Sequence, residues 1–172
     1  KVEHSGDEIF LVANECRVPT AVSEKRVEGA QQFIKDQEVD TIVLDDAFQH
    51  RWIERDLDVV VFDQRFLHKV GSREQKLLPL GVMREPFNAL ERADVVIINR
   101  KFADKREIPE KLKCYFDSKE LFWGRYKATG MVDVKTKKSY ELCEFAGQKS
   151  LVICGIAQPF SFLSRLEKNN ID

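Results

Sequence analysis

The chain has 172 residues, 43% of them apolar and 33% charged, with 28 basic side chains against 29 acidic ones. That is the composition of a folded globular chain, long enough for one domain with its own core or for one domain plus a small appendage. The near-neutral balance argues against a general nucleic-acid binder, and no window approaches the ~18 apolar residues of a membrane span. No secretory signal peptide is recognised, and the four cysteines (Cys16, Cys114, Cys143, Cys154) contain no Cys-x-x-Cys pair. They read as free thiols of a reducing compartment.

In chain order, residues 8–15 form the first helix candidate, and 18–22 (VPTAV) a short strand. Val27, Ala30, Phe33 and Ile34 share one face of a helical segment at 25–37, with Ser23 placed as its N-cap. Residues 41–44 (TIVL), 57–62 (LDVVVF), 95–98 (VVII) and 151–154 (LVIC) are short, mostly β-branched runs. Such runs suit the strands of a parallel sheet covered on both faces. A short helix is expected at 87–92 after Pro86, and another at 160–168 after Pro159. Two further short strands, 131–134 and 139–142, flank the polar turn "KTKK" as a hairpin would. Strands alternating with helices predict an α/β layer fold. The expected organisation is a core α/β domain over 1–113, a β-hairpin linker over 114–149, and the start of a second α/β subdomain over 150–172. Both ends of the chain look cut, as in a fragment of a longer protein.

The chemistry concentrates after the run at 41–44, in "DDAFQHR". Ligands of open α/β sheets sit at the carboxyl ends of strands, where Asp45 and Asp46 are expected. Carboxylates so placed can hold a hydrated Mg²⁺ together with phosphate oxygens. Strands also end in Asp because it suits turns, so the pair alone leaves both readings open.

The wider pattern is more specific. Asp45, Asp46, Gln49, His50, Arg51, Arg55, Asp56 and Leu57 form one block. Leu77, Leu78, Pro79, Gly81, Arg84, Glu85 and Pro86 form a second, and Arg92, Ala93 and Asp94 a third. Gly6-Asp7-Glu8 precedes them, and Gly155, Ile156, Ala157, Pro159 and Phe162 follow. In this order, over nearly the whole chain, the blocks resemble those of the tetraacyldisaccharide 4′-kinase family of lipid A biosynthesis. The resemblance departs at Ala47, where Gly is usual, at Trp52, where Arg is common, and at "GSREQK", where Gly-Asn-Gly is usual. The family's phosphate-binding loop is expected before Gly6, its anchoring segment also N-terminal, and its Asp-His motif beyond Asp172.

The resemblance implies a P-loop-NTPase-like fold with a mostly parallel sheet. It implies ATP and Mg²⁺ as cofactors, and transfer of the γ-phosphoryl to the 4′-hydroxyl of a tetraacyldisaccharide 1-phosphate. Asp45 and Asp46 are then the metal-holding carboxylates, and Asp7 the candidate general base, with a helix cap as its structural alternative. Gln49, His50 and Arg51 are candidate substrate contacts, and Arg84 a phosphate clamp or a partner of Glu85 or Glu91. Arg55 is read as structural, and Asp63 as a turn former more than a site residue. His68, Lys69 and Arg73 are placed in a polar loop. The implied partners are the lipid A precursor, ATP and the cytoplasmic face of the bacterial inner membrane, with no nucleic acid. The alternatives are a non-catalytic domain binding a lipid headgroup or another partner, and a phosphotransferase with a different acceptor.

Overall fold

The computed structural model describes residues 6–72, 75–155 and 159–171. The chain divides into two compact units, Lys1–Asp56 and Leu57–Asp172.

In the first unit, α1 (Asp7–Cys16) follows Gly6, whose φ of 76° only glycine adopts freely, and ends on left-handed Arg17. Helix α2 (Arg26–Asp36) forms where the 3.6-residue pattern places it. Its N-cap is Lys25, not Ser23, because the Ser23 hydroxyl turns away and donates to the Lys25 carbonyl at 2.9 Å. Exposed pairs inside and beside the helix, Lys25–Glu28 at 3.0 Å and Gln32–Asp36 at 2.8 Å, add a few tenths of a kcal/mol each by the usual scale of such pairs, ~0.2–0.5 kcal/mol. The strands expected at 41–44 and 18–22 do not form. Residues 41–44 lack ladder partners among the described residues, and Val43 is 90% exposed. An apolar run becomes a strand only where another strand takes its N–H and C=O groups.

The second unit is built on a parallel sheet of β1 (Val59–Asp63), β2 (Val95–Asn99) and β3 (Glu120–Gly124), in that spatial order. The register sets Val60, Val96 and Leu121 in one row and Phe62, Ile98 and Trp123 in the next. Val96 and Ile98 have no exposed surface. Over this face lie α3 (Gln64–Gly71), a 3₁₀ helix (Phe87–Arg92) and α4 (Glu110–Lys113). Leu67, Phe87, Leu112 and Phe116 fill the space, and Phe62 packs its ring on Phe66, Phe87 and Phe116 at 5.8–6.3 Å between centroids. His68 and Lys69 therefore lie in a helix, not in a polar loop, while Arg73 lies outside the described residues. Strand β3 was expected only as part of an aromatic linker; it enters the sheet because Leu121 and Trp123 alternate inward while Glu120 and Phe122 point to the open face.

The hairpin is β4 (Met131–Val132) paired antiparallel with β5 (Ser139–Tyr140), shorter than the expected strands. A 3₁₀ helix (Leu142–Phe145) follows, then α5 (Phe160–Glu167). Residues 151–154 form no strand, and Leu151 and Ile153 are 90% and 86% exposed. Residues 156–158, the middle of the Gly-Ile-Ala block, lie outside the described residues. All four cysteines are free. Among the described residues no helix is long and apolar enough to cross a membrane.

Candidate active site

The acidic pair lies in the first unit, on a turn rather than at a strand end. Asp45 and Asp46 are both exposed, and Asp46 is left-handed, with φ 48°. Ala47 is the buried residue of the turn and is not itself left-handed, so the replacement of the family's usual glycine carries no backbone strain there. The Asp46 carbonyl accepts from an Arg26 guanidinium nitrogen at 3.0 Å. Downstream, His50 N–H donates to the Ala47 carbonyl at 2.8 Å and Arg51 N–H to the Gln49 carbonyl at 3.1 Å. Arg55 then closes the loop from below, donating to the carbonyls of His50 at 2.6 Å and Ile53 at 2.9 Å. These two bonds are contacts of the structural kind expected of Arg55.

Three candidate side chains follow on this braced loop. Gln49 and His50 are half-buried, Arg51 is exposed, and no hydrogen bond engages their side chains among the described residues. His50 lines a shallow recess of about 220 Å³ with Trp52, Ile53 and the first turn of α2, from Glu24 to Glu28. The recess therefore mixes an imidazole, an indole, two cations and two carboxylates. Asp7 is the first residue of α1; its side chain lies outside the described atoms.

Arg26 escaped the sequence reading, which took α2 only for a helix with one apolar face. A signal was present: Lys25 and Arg26 put two cations at a helix start, where the macrodipole disfavours them. Cations so placed have partners elsewhere, and these pair with Glu28 and the Asp46 carbonyl.

The second unit shows what the other blocks do. In the Leu-Leu-Pro block, Leu78 N–H donates to the Met83 carbonyl and Gly81 N–H to the Leu77 carbonyl, both at 2.8 Å. A Cβ on Gly81 would run into the Lys76 backbone carbonyl, so the turn requires glycine for space. Arg84 is exposed just beyond it. Its neighbour Glu85 pairs with Arg92 at 2.6 Å, so the second and third blocks are bolted together. Asp94 then accepts from Asp58 N–H at 2.8 Å and donates its own N–H to the Asp58 carbonyl, setting the register of β1 against β2.

At the carboxyl ends of the strands, Asp63 caps α3 by accepting Arg65 N–H at 2.7 Å and pairs with Lys101 at 2.8 Å. Burial pushes the Asp63 carboxyl up, but the Lys101 hydrogen bond and charge and the Arg65 N–H outweigh it. The group titrates below the ordinary carboxylate value. Gln64, nearly fully buried, donates to the Asp104 carbonyl and accepts from Arg106 N–H, each at 2.9 Å.

The chain spans about half the length of the curated relatives it matches. It is 35% identical to a tetraacyldisaccharide 4′-kinase of Chlorobaculum parvum, over 97% of this chain and 46% of that protein. It is 29% identical to the enzyme of that name from Neisseria gonorrhoeae, over 96% and 46%. For that of Francisella tularensis the figures are 31%, 97% and 50%. No solved structure gives a significant match. The family model described as tetraacyldisaccharide-1-P 4′-kinase matches residues 1–172, the whole chain, and on that match the chain belongs to the tetraacyldisaccharide-1-P 4′-kinase family.

Proposed function

We propose that these residues form part of an ATP-dependent kinase that phosphorylates the 4′-hydroxyl of a tetraacyldisaccharide 1-phosphate, a lipid A precursor, at the cytoplasmic face of the bacterial inner membrane. The observation that carries this reading is the family match over the whole chain, with the adjacent carboxylates of Asp45 and Asp46 on an exposed, braced turn.

The donor set suits a hydrated magnesium ion, which takes one or two carboxylates and keeps several waters. Asp45 and Asp46 are the residues that would hold it, and the described residues contain no cluster of three or more His, Cys, Asp or Glu of the all-protein kind. Bound there, the ion would neutralise charge on the transferring phosphoryl group. The chain's own side chains supply positioning. Asp7, at the first turn of α1, takes the proton of the acceptor hydroxyl as general base. Gln49, His50 and Arg51 offer donors to the sugar headgroup, and Arg84 offers a planar pair of donors to a phosphate. The linker reading belongs to the same proposal for the hairpin that follows Gly124, since Glu120–Gly124 is a strand of the core sheet.

The test is transfer of labelled γ-phosphoryl from ATP to the tetraacyldisaccharide acceptor by the intact protein that contains this chain. Transfer is expected only with Mg²⁺ added, and Asp7→Asn is expected to lower kcat on the order of 10²-fold with little change in KM. Full turnover in Asp7→Asn would remove Asp7 from the mechanism, and absence of transfer to this acceptor would overturn the substrate assignment.

A further inference from the structure

We infer that the tip of the β4–β5 hairpin is a docking surface for an anionic lipid bilayer. Residues 125–149 carry six basic side chains (Arg125, Lys127, Lys135, Lys137, Lys138, Lys149) and three acidic ones (Asp133, Glu141, Glu144), in a chain whose net charge is −1. All three carboxylates are exposed, and each is engaged by local backbone N–H groups rather than by a lysine. Asp133 accepts from Lys135 N–H at 2.8 Å and Thr136 N–H at 2.7 Å. Glu141 and Glu144 form a reciprocal capping box at the start of the 3₁₀ helix Leu142–Phe145, with Glu141 N–H donating to Glu144 at 2.7 Å.

The cations are left facing solvent. Lys135, Lys137 and Lys138 are exposed and form no ion pair among the described residues; Lys138 rests over the Tyr140 ring at 4.8 Å. Lys137 holds the turn in a left-handed conformation, φ 60°. Between them Val134 is 81% exposed, and Val132 at the strand end is 59% exposed. Three ammonium groups with no carboxylate partner among the described residues, around an apolar tip, match a surface with negative headgroups outside and hydrocarbon beneath. An acidic soluble partner would use the lysines but not the apolar apex, whereas a bilayer uses both.

The inference rests on the lipid-kinase reading only for placing the protein at a membrane, and its test runs without ATP. The intact protein is titrated with vesicles of phosphatidylcholine containing phosphatidylglycerol, and with vesicles of phosphatidylcholine alone. Near an anionic surface each lysine contributes about five-fold in affinity at moderate salt, so replacing all three by glutamine lowers binding to the anionic vesicles roughly a hundred-fold. The Lys→Arg triple retains binding, Val134→Ser lowers it about three- to ten-fold, and rising salt weakens the wild type but hardly the glutamine triple. Unchanged anionic-vesicle binding in the glutamine triple overturns the proposal, as does an equal loss on neutral vesicles. Phosphoryl transfer to detergent-dispersed acceptor is measured in parallel. If transfer is absent while the lysine dependence stands, the functional reading fails and the docking surface survives; if transfer is normal while the lysines are silent, the reverse holds.

Discussion

Asp46 carries two separable properties, a carboxylate and a left-handed backbone, and substitutions at it divide them. Its φ is 48°, a region that costs a residue with a Cβ roughly 1–2 kcal/mol, less for Asn or Asp, and nothing for Gly. Arg26 and the His50–Ala47 backbone bond hold that turn in place. Asp46→Asn keeps the shape and the left-handed tolerance while removing the charge. In urea it should be more stable than Asp46→Ala, and Asp46→Gly should exceed Asp46→Ala by about 1 kcal/mol, because glycine adopts that φ without cost. Turnover should not follow that order. If the carboxylate holds the metal, all three variants lose phosphoryl transfer on the order of 10²-fold or more, the most stable included. The assays are equilibrium unfolding and transfer of labelled phosphoryl by the intact protein. An Asp46→Asn enzyme with normal turnover would refute the metal assignment, and an Ala variant as stable as the Asn variant would refute the backbone argument.

Two further outcomes concern the carboxyl ends of the strands. The Asp63 carboxyl is held below its ordinary value, so its contribution to stability is present above the unfolded-state pKa and is lost as pH falls through the lower folded-state value. The unfolding midpoints of wild type and Asp63→Asn should therefore differ most above about pH 4 and converge in stronger acid, as measured by denaturation across pH. A gap that persists unchanged into strong acid would exclude the ion pair with Lys101 as its cause. Gln64→Leu fills similar volume but strands the Asp104 carbonyl and the Arg106 N–H, so it should cost about 1–3 kcal/mol in urea unfolding and speed hydrogen exchange at the Arg106 amide. Equal protection of that amide in the variant would show that the bridge is not what orders the loop.

Much of the fold was legible where a local signal and a tertiary partner agree. Helices α1, α2 and α5 were placed within a residue or two because their apolar spacing needs no distant strand. Strands β1 and β2 were found from continuous apolar runs. The same signal failed at 41–44 and 151–154, because a run announces only a capacity to pair, and the ladder depends on a neighbour that the run does not specify. Helix α3 was missed for the opposite reason. Its sequence, QRFLHKVG, is polar overall, and Gln64, Leu67, Val70 and Gly71 are its buried residues, with Phe66 stacked on Phe62, so a helix seated by a side-chain amide looked like a loop. For the candidate site, the sequence offered residues but not their mutual position. The motif blocks pointed to Asp45, Asp46 and Arg55, but nothing local foretold that Arg26, twenty residues away, would hold the Asp46 carbonyl.

The sheet explains why residue patterning gave so little about faces. Val59, Val61, Ile97 and Phe122 share one side of the β1–β2–β3 sheet, and Val60, Phe62, Val96, Ile98 and Trp123 share the other. Only the second side is packed by the helices of its own unit; Val59, Val61 and Phe122 remain 44%, 60% and 49% exposed. An antiparallel sheet with that asymmetry would alternate apolar with polar residues, and its buried face could be read from one strand. Here the open side is almost as apolar as the packed one. Parallel strands joined by crossovers are selected for cover on both sides, so their sequence encodes membership of a layered sheet and is silent on which side is occupied first. The covered side is decided by residues outside the strands: the rings of Phe66 on α3, Phe87 in the 3₁₀ helix and Phe116 after α4 pack on Phe62, and Leu67 and Leu112 are buried with them.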